Sequence, residues 1–220
     1  MVASPPKPIT QTTGDKRVTL HGLTWDAYQQ ILDALPQSRA ARLTYDRGTL
    51  EIASPQQGHA FAVCLISRFI HTLVVETGME LKTMGSTTIN RKALNRSAEP
   101  DSAFYIQNQP LVVGRIVDFD KDPPPDLLLE IDITPTDINK NQFYAAIGVP
   151  EFWRYNGQEW SIFQLQNGTY QECTNSPTFE WVEKEDLYRF LKEAWKDEME
   201  AQSNLQTYIR EKLEQLNNEK

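Results

Sequence analysis

The sequence predicts an α/β fold, a mixed sheet flanked by helices, and three observations predict it. The run "GHAFAVCLISRFIHTLVVETG" repeats apolar residues at helical spacing. The segments "ELKTMGSTTINR", "PDSAFYIQN" and "PPPDLLLEIDIT" that follow have strand character. A helical pattern, "TDINKNQFYAAIGVPE", then precedes the β-rich "EFWRYNG". From residue 58 to 155 the order is thus helix, three strands, helix, strand.

The elements follow in chain order. "LTWDAYQQILDAL" reads as a helix with Thr24 as its N-cap. "ARLTYDRGTLEIAS" alternates as a hairpin about Asp46-Arg47-Gly48. Phe61, Leu65, Phe69 and Leu73 form the stripe of the long core helix, and Gly78 closes it. Thr136 or Asp137 is expected to cap the second core helix, which Gly148 and then Pro150 stop. Two Asn-Gly pairs in "EFWRYNGQEWSIFQLQNGTYQEC" predict a meander of hairpins. Residues 184–218 read as one long or broken helix, with an irregular apolar stripe from Leu187 through Trp195, Met199 and Leu205 to Leu216. That stripe either packs back on the domain or pairs with another chain.

Composition bounds the function classes. At 220 residues, 40% hydrophobic and 24% charged, the chain can bury a sizeable core. No apolar run approaches ~18 residues, so no membrane span or membrane partner is expected. The N-terminal "MVASPPKPITQTTGDK" lacks the apolar region of a secretory signal. Cys64 and Cys173 make neither a disulfide framework nor a metal spacing, which fits a reducing cytoplasm. Of the net charge of −8, residues 156–220 supply −6, from 7 Lys/Arg against 13 Asp/Glu. Nucleic-acid binding usually leaves a basic footprint, so this acidity weighs against DNA. It includes any carboxylates that hold a metal, and a local basic patch, "INRKALNR" with Arg91, Lys92 and Arg96, reads as a solvated loop.

The chemistry concentrates in residues 126–133. Alternation puts Leu127, Leu129, Ile131 and Ile133 on one face of this strand, and Asp126, Leu128, Glu130 and Asp132 on the other. At ~3.3 Å per residue, Glu130 and Asp132 stand roughly 6.6 Å apart at Cα, close enough to share one ion. Asp126 lies roughly 13 Å from Glu130, too far for the same ion, and is expected to bond a turn after the prolines. Burying such carboxylates needs basic side chains, protonation or a divalent cation as compensation. The alternative is an edge strand with the acids in water. Asp101, after Pro100, begins the preceding strand and would face Glu130 across the ladder. Lys140 falls in the first helical turn, where a cation opposes the helix dipole by ~0.3–1 kcal/mol and a neighbouring carboxylate cluster would offset the cost.

Asp101, then Glu130-Ile131-Asp132, then Lys140 in the next helix resembles the PD-(D/E)XK nuclease superfamily. "LTYDRGTLEIASP", "GSTTINR", "EPDSAFYIQN", "DPPPDLLLEIDIT" and "YAAIGVPEFWRYNG" are similar to the Uma-two family of restriction-type endonucleases, over about residues 18–195. The resemblance implies a restriction-endonuclease-like core over 17–183, with an N-terminal helix-hairpin extension. A disordered tail over 1–16 and a C-terminal helical extension over 184–220 flank it. It implies a Mg²⁺-dependent endonuclease acting on DNA, with Mn²⁺ able to replace Mg²⁺. Asp101 and Glu130, with Asp132, would bind the metal. Lys140 would supply the amine that the superfamily places where Asp132 stands here, making Asp101, Glu130, Asp132 and Lys140 the catalytic set. The family often has an acid after the His of the first core helix, whereas Ala60 follows His59 here. His59 itself reads as a helix-start residue. Two other readings stay open: an inactive adaptor that pairs as a homodimer through its C-terminal helix, and a hydrolase using Glu130 and Asp132 as acid and base without metal.

Overall fold

The computed structural model describes residues 15–36 and 38–219. Of the tail expected over 1–16, residues 1–14 lie outside the described residues. Lys16 opens β1 (Lys16–Leu20), which is followed by α1 (Trp25–Ala34), β2 (Arg42–Asp46), β3 (Thr49–Ser54) and α2 (Gln57–Thr77). Next come β4 (Lys82–Thr83), β5 (Ile89–Arg91), a 3₁₀ turn, β6 (Arg96–Ala98), β7 (Ser102–Tyr105), the short α3 (Gln109–Val112) and β8 (Leu127–Ile131). The chain ends through α4 (Lys140–Ile147), β9 (Glu151–Tyr155), β10 (Trp160–Gln166), β11 (Thr169–Cys173), α5 (Lys184–Ala194) and α6 (Glu198–Asn218).

Local signals act as their chemistry requires. Thr24 Oγ1 accepts the Ala27 amide at 3.2 Å, capping α1. Arg47 and Gly48 have φ of 47° and 103°, the left-handed pair that a two-residue hairpin needs. Asn167-Gly168 makes the same turn between β10 and β11, with φ of 51° and 80°. Asn156-Gly157 instead sits in a longer loop, where Asn156 Oδ1 accepts the amides of Gln158 and Glu159. Gly78 and Gly148 end α2 and α4 in the left-handed conformation.

Two sheets form. The first has the order β1-β3-β2-β6-β5, and the second β11-β10-β9-β8-β7-β4. In the second, β8 and β9 are parallel, joined through α4, while their other neighbours are antiparallel. The fold is therefore restriction-endonuclease-like: α2, the three strands β4, β7 and β8, then α4 and β9. The segment read as one strand, "ELKTMGSTTINR", divides. Its start becomes β4 and its end β5, which joins β6 in the first sheet, so the N-terminal hairpin grows into a sheet of its own. The basic patch is correspondingly no solvated loop. Arg96 is buried, donates to Asp46 at 2.8 Å and lies over the Phe143 ring.

The faces of β8 divide as alternation requires. Leu127, Leu129 and Ile131 join α2 residues Leu65, Phe69 and Leu73 in the main core, while Leu128 meets Phe143 and Tyr144 of α4. Each fully buried aliphatic side chain contributes about 1.5–3 kcal/mol. By length and composition α2 could cross a bilayer, contrary to the expectation from run length. Its apolar residues instead build this core. The C-terminal stripe packs back: Leu187, Phe190 and Leu191 of α5, and Leu205 and Ile209 of α6, belong to the same cluster. Of the residues in the stripe, Trp195, at the break between the two helices, and Met199, in the first turn of α6, stand 59% and 70% exposed.

Candidate active site

Asp101 sits where the chain passes from β6 in one sheet to β7 in the other. Ser102 pairs with Leu129, so the same antiparallel register sets Asp101 opposite Glu130. Its Oδ2 accepts the Ile131 amide at 2.7 Å, fixing the carboxylate against β8. Asp132 extends the parallel ladder, its amide donating to Tyr155 O at 2.8 Å. The acids do not face water: Asp101, Glu130, Asp132 and Lys140 are all buried.

Lys140 occupies the first position of α4, which Asn139, not Thr136 or Asp137, caps by accepting the Gln142 amide at 3.1 Å. Thr136 is engaged elsewhere, donating to Glu51 at 2.8 Å and accepting the Ile138 amide at 3.1 Å. Lys140 Nζ donates to Glu130 Oε2 and to Asp132 Oδ1, both at 2.7 Å. That double contact offsets the dipole cost of a cation at a helix start. Asp126 behaves as a turn anchor, accepting the amides of Ile106 at 2.7 Å and Asn108 at 2.9 Å.

The sequence reading left out five partners. Arg42 at the start of β2 donates to Asp101 Oδ1. His59, in the first turn of α2, is no mere helix-start residue: it bridges Asp101 at 2.7 Å and Asp15 at 2.9 Å. Tyr144 donates to Glu130 Oε1, and Arg154 Nε donates to Asp132 Oδ2 at 2.8 Å. Two of these had a signal. Tyr144 lies four residues after Lys140, on the same helix face, and Arg154 alternates with the core residues Trp153 and Tyr155 along β9. Arg42 and Asp15 had none, because only the packing of the first sheet against the second brings them close. Ala60 is exposed and brings no acid to the cluster.

Charge in the cluster balances. Asp15, Asp101, Glu130 and Asp132 face Arg42, His59, Lys140 and Arg154. Burial favours the neutral form of Asp101, but the hydrogen bond and charge of His59, with Arg42 and Lys140, hold its pKa below the usual range. Burial also opposes the His59 cation, yet Asp101 and Asp15 raise its pKa to about 9. Glu130 differs. Burial, with Asp101 and Asp132 nearby, pushes it up to about 7 against the pull of Lys140. Lys140 stays cationic, because its carboxylate neighbours outweigh its burial.

This juxtaposition of two carboxylates on neighbouring strands with a helix-borne lysine is what the nuclease resemblance anticipates. The family model described as "Putative restriction endonuclease", Uma2, matches residues 25–192. The chain belongs to the Uma2 family. A search among curated proteins found no match. The Uma2 match spans the chain from α1 to α5, so it contains all three carboxylates, Lys140 and each partner except Asp15. At the general level this makes the chain a member of a nuclease family.

The donor chemistry of the Uma2 site suits a hard divalent cation, since Asp101 and Glu130 offer carboxylate oxygens from adjacent strands. Such an ion would compete with the chain's own cations. All six oxygens of Asp101, Glu130 and Asp132 already accept a hydrogen bond from the protein. Among the described residues no group of three His, Cys, Asp or Glu side chains is gathered as a metal cluster.

Proposed function

We propose that this protein is a Mg²⁺-dependent endonuclease that hydrolyses phosphodiester bonds in DNA, with Mn²⁺ able to replace Mg²⁺. The observation that carries the reading is the placement of Asp101 opposite Glu130, with Lys140 bonded to Glu130 and Asp132. Asp101 and Glu130, assisted by Asp132, would hold the metal. When bound, Mg²⁺ polarises a phosphoryl oxygen and lowers the pKa of a coordinated water. Lys140 keeps a fixed positive charge where negative charge develops on the phosphorus oxygens. Arg42 and His59 hold Asp101 ionised and oriented, and Arg154 orients Asp132 through its Nε. The free thiols Cys64 and Cys173 support action in the reducing cytoplasm.

Glu130→Gln tests the reading. Gln keeps an oxygen for Tyr144 and leaves Lys140 its bond to Asp132, so the fold should survive. Cleavage of plasmid DNA in Mg²⁺ should vanish, and cutting at the wild-type rate by this variant would refute the assignment.

One observation favours a second reading, a nuclease-fold module without catalysis: every oxygen of the three acids is already satisfied by the chain's own donors. Calorimetric titration with Mg²⁺ and Mn²⁺ separates the two. Binding in the wild type that Glu130→Gln abolishes supports the enzyme, and no heat of binding in either protein supports the module.

A further inference from the structure

A cleft of about 520 Å³ is lined among others by Arg39, Ala40, Arg42, Ser86, Thr87 and Glu99, and Arg42 links it to Asp101. Its electrostatics follow from what Glu99 does. One Glu99 oxygen accepts from Arg39 and from Thr88 at 2.8 Å, and the other accepts the Leu43 amide at 3.0 Å. Glu99, the acid of the described lining, is therefore held by Arg39, and Arg42 brings a second guanidinium whose carboxylate partner, Asp101, lies outside the lining.

Two of its donors have capacity to spare. Arg39 Nε is buried with no hydrogen-bond partner among the described residues. A buried donor left unpaired costs about 1–3 kcal/mol, which a ligand oxygen would recover. Arg42 places one terminal nitrogen on Asp101, yet its side chain is 24% exposed and lines the cleft. That single guanidinium joins the cleft to the acids. Ser86 and Thr87 add exposed hydroxyl-bearing side chains. The volume lies within the roughly 300–1,000 Å³ of small-ligand sites, enough for one nucleotide.

We propose that this cleft seats a DNA backbone phosphate adjacent to the one presented to Asp101 and Glu130, with Arg39 and Arg42 as its ligands. The identity of the anion rests on the nuclease reading. The contact of Arg42 with both the cleft and Asp101 does not.

The test uses the full chain in EDTA, so that binding is read without cleavage. Fluorescence anisotropy with a short labelled DNA duplex, over a salt series, compares the wild type with Ala40→Glu and Ala40→Lys. Ala40 is exposed in the loop before β2, so neither change disturbs packing. Ser203→Glu, at an exposed position of α6 outside the cleft lining, adds the same charge. Ala40→Glu should weaken binding about tenfold at low salt and Ala40→Lys should strengthen it. The slope of log K against log salt should shift by about 0.9 per phosphate, falling in magnitude for Ala40→Glu and rising for Ala40→Lys. Equal affinities for all four proteins would overturn the proposal. So would a weakening in Ser203→Glu as large as in Ala40→Glu, because net charge alone would then explain both. Unaltered cleavage by Glu130→Gln would sink the enzyme assignment while leaving the anisotropy result to decide the cleft.

Discussion

Replacing Lys140 by Met should unfold the protein more readily than any other single change at the site. Met nearly matches the length and volume of Lys but removes the amine that bonds Glu130 and Asp132 at 2.7 Å. Asp132 retains Arg154 at 2.8 Å, whereas Glu130 retains only the Tyr144 hydroxyl. Removing one partner of a buried ion pair costs about 3–5 kcal/mol, because the carboxylate left behind either stays buried without its counter-charge or must take up a proton. Against a total stability of about 5–15 kcal/mol, that is a large share. For a chain of this size, each kcal/mol moves Tm by about 2–4 °C, giving a fall of roughly 6–20 °C. Urea unfolding of Lys140→Met, Glu130→Gln and the double variant makes the cycle. Glu130→Gln in the Lys140→Met background removes the carboxyl that must otherwise stay charged or be protonated, so the double variant, with unfolding measured above about pH 8, should recover at least about 1.5 kcal/mol. A single-variant cost below about 1 kcal/mol would refute the view that Lys140 compensates buried carboxylates. A double variant no more stable than Lys140→Met would refute it as well.

His59 gives a pH signature. Its pKa rises from 6.5 to about 9 on folding. The stabilisation is therefore complete below pH 6.5, and it is lost as pH climbs through about 9. The shift corresponds to on the order of 3 kcal/mol, so the Tm gap between wild type and His59→Gln should be wide at pH 6 and shrink towards pH 10. Truncation after residue 183 should abolish folding, since Leu187, Phe190, Leu191, Leu205 and Ile209 cover α2 in the main core. Circular dichroism would read that loss, and a truncated chain that kept a cooperative transition would show that α5 and α6 are dispensable.

Much of the candidate site was legible because strands and helices impose fixed periods. Alternation alone divided the faces of "DLLLEID", and a short connection to the next helix brought Lys140 to the end of that strand. The Asp101–Glu130 pairing followed from the tendency of successive strands to be neighbours. Other parts were not legible. Nothing in "ELKTMGSTTINR" says that β4 and β5 enter different sheets, because either partner satisfies the same backbone groups. The cap of α4 moved from Thr136 to Asn139 because Thr136 is held by Glu51, from a strand 85 residues away. His59 reads as a surface helix start until Asp15 and Asp101 close over it.

The sequence by itself determined the main core elements α2, β7, β8, α4 and β9, the apolar and acidic faces of β8 and the alignment of Lys140 with its acids, since each depends on spacing over a few residues. Only the tertiary structure decided what neutralises those acids. Arg42, His59 and Arg154 come from other segments of the chain, and the energy of a buried charge depends on whichever groups lie within a few ångströms, however distant they are in sequence.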